Sequence, residues 1–478
     1  MRELGCYVGR EWVRPKGSTI EVRNPATNGD VIARVAQLGV ADVDRAVGVA
    51  AEVSPGWAAR SPWQRAEVLR KAADLLENRA ARVAKDLMEE NGKPLSEAQG
   101  EVAKSIVTFR YYAGLAAALD GRAFEGGAPQ LRHETRKEPL GPVAAVTPWN
   151  VPAAGPARKL APALLAGNTV LLKPATATPI TAIHLVECLY EAGADPGVVQ
   201  LLCGSGPVVG QPLCCDPRVR AVSFTGSTAV GLQLKNALGR SMTRLQLELG
   251  GKNAALVFSD ADLGTASSHI LGAAFASAGQ QCTATSRVLA QREIYQPLLE
   301  LLATRARSFV VGDPFDQATQ MGPLIDEAGI RRVEGFIRRA VKEGARIMTG
   351  GQRIPRPGYF FEPTILSHVH PGMEISREEV FGPVLSVMDF GSVEQSVELL
   401  NATPYGLSCA VHTRDIRTAQ FVAKNADCGI VVVNGPTAGI ELPAPFGGFK
   451  LSGTGWKEHG PESLEFYTRT KLVSWGWS

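Results

Sequence analysis

The chain has 478 residues, 45% apolar and 20% charged, and its 50 basic and 47 acidic side chains leave a formal charge of +3. That length exceeds one hydrophobic core and calls for two or three domains of ordinary globular composition. There is no dense Lys/Arg block, no apolar run near the roughly 18 residues of a membrane span, and no apolar signal core behind Met1-Arg2-Glu3-Leu4-Gly5. Nucleic acid and membrane are therefore excluded as main partners, and a cytoplasmic location is expected. The eight cysteines are scattered, and none, the Cys214-Cys215 pair included, has zinc-ligand spacing; reduced thiols and no metal are expected.

In chain order, residues 1–60 read as short strands and turns, with Asn24-Pro25-Ala26-Thr27-Asn28-Gly29 a clear turn. Over 62–90, Ala66, Leu69, Ala73, Leu76, Ala80, Val83 and Leu87 recur at threes and fours. This spacing predicts one long amphipathic helix closed by Asn91-Gly92-Lys93-Pro94, with a second over 96–119. Apolar runs at 143–147, 169–173, 199–202 and 221–224 then alternate with helical segments, the pattern of a doubly wound parallel sheet. A second alternating region follows Gly251, with 253–258 its first strand and 431–433 among its last. The boundary falls at Gly250-Gly251, and the fold class is α/β.

The chemistry concentrates in two places. Gly279-Gln280-Gln281-Cys282-Thr283-Ala284 sets a cysteine among small residues, 34 positions after Glu248-Leu249-Gly250-Gly251-Lys252. A thiolate is the nucleophile, and a free thiol near pKa ~8.5 is only a few per cent ionised at pH 7. A neighbouring carboxylate opposes thiol ionisation, so Glu248 suits a general base for water rather than an activator of Cys282. Alone, each half has an ordinary reading: a buried thiol and a strand-to-turn sequence. Phe224-Thr225-Gly226-Ser227-Thr228-Ala229-Val230-Gly231 ends a strand and opens a helix, where a glycine turn and free N–H groups can meet a pyrophosphate. Its Gly-x-x-x-x-Gly spacing serves equally as a helix-capping turn.

Together with Pro148-Trp149-Asn150-Val151-Pro152, Gly167-Asn168-Thr169-Val170, Lys173-Pro174-Ala175, Glu378-Glu379-Val380-Phe381-Gly382-Pro383 and Pro445-Phe446-Gly447-Gly448-Phe449-Lys450-Leu451-Ser452-Gly453, these motifs resemble the aldehyde dehydrogenase superfamily over nearly the whole chain. The resemblance implies an NAD(P)-binding domain at 1–123 and 140–250 and a catalytic domain at 251–440. A β-flap at 124–139 and 460–478 would serve contacts in a homodimer or homotetramer. It implies oxidation of a small-molecule aldehyde through a Cys282 thiohemiacetal and thioester, with Asn150 and the Cys282 N–H as oxyanion donors and Glu248 hydrolysing the thioester. A CoA-acylating relative would lack that base. Trp149, Lys173, Thr176, Gly226, Ser227, Gly231, Glu379 and Phe381 match cofactor-binding positions. Lys159 matches a lysine near the active site, in a proton relay or as a core-edge side chain.

Many NAD-preferring members carry a glutamate where this chain has Thr176, so NADP is expected to be tolerated or preferred. Arg158 stands where semialdehyde-oxidising relatives hold a distal carboxylate, and a helical salt bridge is its other reading. Gln281-Cys282-Thr283-Ala284-Thr285-Ser286-Arg287, Pro436-Thr437-Ala438-Gly439-Ile440-Glu441 and Glu465-Phe466-Tyr467-Thr468 look like the 2-oxoglutarate-semialdehyde dehydrogenase group. Two departures stand out: Ala276 replaces the second arginine of succinate-semialdehyde enzymes, and Trp456-Lys457-Glu458-His459 replaces an arginine-led segment. The preferred substrate is then a short carboxylate-bearing semialdehyde. A broad range of aliphatic or aromatic aldehydes, a cofactor-independent thioesterase and a non-catalytic relative are the alternatives.

Overall fold

The computed structural model describes residues 1–15 and 17–477. Two seven-stranded sheets organise the chain. In the first, Arg244–Glu248, Ala221–Thr225, Pro142–Val146, Thr169–Lys173 and Val199–Leu201 run parallel, and Cys6–Val8 and Glu11–Val13 close the edge antiparallel. The central strands are buried on both faces, which is why they read as continuous apolar runs rather than alternating ones. Each of the four strands on the Arg244–Glu248 side delivers polar residues at its carboxyl end: Asn150 beyond Val146, Lys173, the Thr225-Gly226-Ser227 turn, and Glu248. That end of an open parallel sheet is where ligands settle.

The second sheet follows the Gly250-Gly251 turn. Thr364–Ser367, Val384–Phe390, Arg287–Gln291, Ala254–Val257, Ser408–His412 and Ile430–Val433 run parallel, with Arg346–Thr349 antiparallel at one edge. Each sheet has its own apolar core. A third, antiparallel sheet pairs Leu131–Pro139 with Ala123–Glu125 and with Thr468–Gly476. The segment just before it, Ser463–Tyr467, is a helix whose Leu464, Phe466 and Tyr467 sit in the first core. The terminal ribbon therefore starts at Thr468 rather than at 460.

Two expectations near the N-terminus are corrected. Residues 40–59 are not turns but a helix, Val40–Ala59, whose buried Val43, Ala46, Val47, Ala50 and Trp57 keep helical spacing. The helix runs through Pro55, and Trp57 Nε1 donates to the Leu164 carbonyl at 3.1 Å. The single helix over 62–90 is two, Pro62–Asn78 and Ala80–Asn91, broken at Arg79 (φ −106°, ψ 2°). The apolar period passes straight through the break, so periodicity alone could not register it. Among the described residues no helix is long and apolar enough to cross a membrane, and no group of three or more His, Cys, Asp or Glu side chains is placed to hold a metal.

Candidate active site

A cavity of about 1040 Å³ lies at the carboxyl ends of the first sheet and against the second. It brings together every site residue expected from the sequence except Lys159 and Gly231, which stand behind its wall.

The nucleophile loop is held in an unusual backbone. Ser277, Ala278 and Gly279 are all left-handed (φ 50°, 55° and 70°), and a side chain on Gly279 would strike the Gly382 carbonyl at 2.2 Å. Consecutive left-handed residues are costly and persist only under outside restraint. Glu97 supplies it, accepting the Ser277 N–H at 3.0 Å and its hydroxyl at 2.7 Å. Gln280 ties the loop to the second core, donating to the Ser277 carbonyl and accepting the Ile325 N–H at 2.9 Å. Past the thiol, Asn253 Nδ2 donates to the carbonyls of Cys282 (2.8 Å) and Ala284 (2.9 Å), and Thr437 donates to that of Thr283 (2.7 Å). Cys282 is half-buried, and its N–H donates to no protein acceptor among the described residues. Burial, reinforced by Glu248, Glu379 and Glu458, pushes the thiol up to about 12; Arg158 opposes this.

Asn150 is equally braced. Its Nδ2 donates to the Gln280 carbonyl at 2.8 Å, which leaves a second amide hydrogen free, and its own carbonyl accepts Lys93 Nζ at 2.6 Å. Lys93 forms a buried ion pair with Glu101, which also accepts the Ala153 and Ala154 N–H groups at 2.9 and 3.1 Å. Asn91 Nδ2 donates to the Trp149 carbonyl at 2.9 Å. Sequence reading took Asn91-Gly92-Lys93-Pro94 as a helix stop, yet two of its side chains set the position of Asn150.

Glu248 is buried, and neither carboxyl oxygen has a partner. Burial and then Glu458 hold its pKa well above the usual carboxylate range, against Lys159, Lys457 and Arg158. Lys159, on the helix Ala154–Leu165, is fully buried and pairs with Glu458 while donating to Ser223 Oγ at 2.7 Å. Its core-edge reading gives way to a buried ion pair beside Glu248. Arg158 has no carboxylate within salt-bridge distance among the described residues; its guanidinium lies 5.6 Å from the Phe446 ring centre. The helical salt bridge weighed for it is therefore absent.

At the other end of the cavity the walls suit a dinucleotide. Ser227 caps the helix Thr228–Ala237, accepting the Val230 N–H at 3.4 Å, and its own O–H stays available. Gly226 packs on the Phe224 ring and Gly231 on Leu249, both too closely for a side chain. Lys173 is buried, its ammonium hydrogen-bonds among the described residues only to the Pro174 carbonyl at 3.2 Å, and burial lowers its pKa. A desolvated ammonium with no carboxylate partner fits ribose or phosphate oxygens. Thr176 is exposed, and beside it Gly206, Pro207, Gly210 and Gln211 also line the wall. The Gly204-Ser205-Gly206-Pro207 loop is thus part of the cavity. Between the two ends, Glu379 accepts the Gly251 N–H at 3.1 Å and burial raises its pKa to about 7. Phe381, at φ 55°, meets Trp149 edge-on at 5.5 Å.

Three comparisons bear on this geometry. Residues 12–473 match the model of the aldehyde dehydrogenase family. The chain is 40% identical over 470 residues to the 2,5-dioxopentanoate dehydrogenase of Saccharolobus solfataricus, covering 98% of each chain, and 37% identical over 472 residues to the alpha-ketoglutaric semialdehyde dehydrogenase of Bacillus subtilis, covering 98% and 97%. Among solved structures, betaine aldehyde dehydrogenase of Staphylococcus aureus in complex with NAD+ superposes with a TM-score of 0.96 at 34% identity, covering 99% of this chain and 95% of that one. An NADP-dependent enzyme of E. coli gives 0.96 at 36% identity, covering 99% and 98%.

Proposed function

This chain belongs to the aldehyde dehydrogenase family, and from that premise we propose that it oxidises a short, carboxylate-bearing semialdehyde such as 2-oxoglutarate semialdehyde to the acid, by a hydrolytic route. The observation that carries the mechanism is the buried Glu248 carboxyl with both oxygens unpartnered, in the same cavity as Cys282 and the braced Asn150 amide. The free Asn150 amide hydrogen and the unpaired Cys282 N–H are the donors for the oxyanion formed when sulfur adds to the aldehyde carbon. Each such donor is typically worth about 10²–10³ in rate. When bound, the nicotinamide cofactor takes up the hydride, a redox role no side chain in the cavity can fill. Lys173, Ser227, Gly226 and Thr176 would hold its adenosine and phosphate half, with Gly231 letting the helix behind them pack against Leu249. Glu379, Phe381 and Trp149 would hold the nicotinamide half.

The thioester left on Cys282 is released by water that Glu248 deprotonates. The buried Lys159–Glu458 pair acts on the Glu248 carboxyl through its charges, Glu458 raising and Lys159 lowering its pKa. No acidic side chain stands among the cavity residues around Lys173 and Thr176, which supports use of NADP as well as NAD, since nothing there would repel a 2′-phosphate. Homo-oligomer formation through the terminal ribbon is supported by exposed Phe124, Leu472, Trp475 and Trp477 in or next to its sheet.

The substrate reading rests on the names of the relatives at 37–40% identity and on Arg158, a half-buried guanidinium with no carboxylate partner in the cavity. It is tested by initial rates of cofactor reduction with NAD or NADP and 2-oxoglutarate semialdehyde, succinate semialdehyde, benzaldehyde or hexanal. A kcat/KM at least tenfold higher for the two acids is the expected result. A preference for the neutral aldehydes would leave the chemistry standing and remove the acid-bearing substrate.

A further inference from the structure

Opposite Arg158 the cavity wall carries a histidine with an unusual environment. His459 is buried, and neither ring nitrogen has a hydrogen-bond partner. Its backbone is left-handed at φ 62°, followed by Gly460, also left-handed. The Phe446–Glu458 backbone pair (2.6 and 2.7 Å) and the Gly460 N–H on the Leu442 carbonyl (2.8 Å) hold it there. A buried polar ring left unsatisfied is costly, and a left-handed non-glycine residue adds to that. Such a residue persists most readily where a ligand completes it.

Its neighbours say what kind of ligand. The His459 ring packs tilted against Phe446, centres 5.2 Å apart, and Arg158 lies 5.6 Å from the centre of that same ring. Lys104, on the helix Leu95–Gly114, stands solvent-facing on the same cavity and has no salt-bridge partner among the described residues. The nearby carboxylates are already engaged, Glu101 by Lys93 and Glu458 by Lys159. Burial first, and then Arg158 and Lys104, hold His459 well below its ordinary pKa, so it is a neutral N–H donor at pH 7. Arg158 and Lys104, neither in a salt bridge among the described residues, and the free His459 donor thus line the same cavity.

We propose that His459 and Lys104 complete, with Arg158, a three-sided pocket for the remote carboxylate of the substrate, with His459 donating one N–H to it. This rests on the acid-bearing substrate proposed above and adds two specificity-determining residues to it. His459 falls in the segment where the chain departs from the resemblance, so the pocket is built partly by residues of this chain's own.

The test compares kcat/KM for succinate semialdehyde with that for butanal, in the full-length enzyme and in His459→Gly, His459→Asn, Lys104→Met and Arg158→Ala. Glycine accepts the left-handed backbone, and asparagine tolerates it while keeping a donor. The acid-to-neutral ratio should fall about tenfold or more in His459→Gly and Lys104→Met, the usual size for a lost hydrogen bond to a charged group, and less in His459→Asn. Calorimetric binding of glutarate, which is not oxidised, should weaken in the same order. A ratio and glutarate affinity unchanged in His459→Gly and Lys104→Met, but lowered in Arg158→Ala, would overturn the three-sided pocket alone. A wild-type enzyme with no preference for the acid would overturn the substrate reading, and the pocket with it.

Discussion

Glu101→Gln should cripple turnover from a residue that meets neither thiol nor aldehyde. Glu101 and Lys93 form an ion pair whose side chains are only 6% and 5% exposed. Breaking such a buried pair from one side typically costs about 3–5 kcal/mol, because the remaining charge is stranded. Glutamine keeps the shape and can still accept an N–H from Ala153 or Ala154, so a loss near about 3 kcal/mol is expected. The same change frees Lys93, whose bond to the main-chain carbonyl of Asn150 braces the residue proposed to bind the oxyanion. Complete loss of one such donor is worth about 10²–10³, and partial misplacement should lower kcat about tenfold with little change in KM. Urea unfolding gives the first quantity and steady-state rates the second. The double variant Lys93→Met/Glu101→Gln, which leaves no stranded ammonium, should recover stability but not kcat. If Glu101→Gln is destabilised as expected yet keeps kcat within about twofold, the pair is structural and its control of Asn150 is refuted.

Other outcomes follow from the same site. Because the raised pKa of Glu248 keeps it protonated at low pH, and only its ionised form is a base, steady-state turnover should rise with pH; Glu248→Gln should lose about 10²–10⁴ in turnover and flatten that rise. Removing a desolvated carboxyl also removes a folding cost present whenever pH exceeds its unfolded value, so Glu248→Gln should melt no lower than wild type at pH 8. With its thiol pushed up to about 12, Cys282 of the cofactor-free enzyme should be alkylated by iodoacetamide at a rate still climbing at pH 9; a plateau near pH 8 would contradict that. Thr176→Glu should cut kcat/KM for NADP by about tenfold or more while sparing NAD, the effect of a carboxylate facing a 2′-phosphate. Leu472→Glu with Trp475→Glu should lower the mass seen in sedimentation velocity; an unchanged mass would remove the ribbon as an interface.

Local sequence carried the reactive groups well and their supports poorly. Cys282, Glu248 and Asn150 each lie in a short motif with its own turn chemistry, and the parallel strands announced themselves as buried apolar runs. The supports are long-range. Lys93 reaches the Asn150 carbonyl across 57 positions, Glu97 reaches Ser277 across 180, and Lys159 meets Glu458 across 299. No spacing rule reads such contacts, because sheet crossovers make them. The left-handed run at Ser277 and Ala278 was equally silent, since nothing in the two residue types asks for positive φ. The helix Val40–Ala59 runs through Pro55, a residue that ordinarily breaks one, and is held by its buried Val43, Ala46, Val47, Ala50 and Trp57. His459 was visible only as a departure from a familiar segment, and its burial with both nitrogens free had to come from the packing.

The central claim is that an acyl group passes through Cys282 and leaves by hydrolysis at Glu248. The most direct test is to mix Glu248→Gln rapidly with excess NADP or NAD and 2-oxoglutarate semialdehyde, quench, and weigh the protein and its Cys282 peptide. One equivalent of reduced cofactor should form per site, followed by a stalled enzyme whose Cys282 peptide carries the 2-oxoglutaryl mass as a hydroxylamine-sensitive thioester. Continued turnover with no adduct, or an adduct on another cysteine, would contradict it.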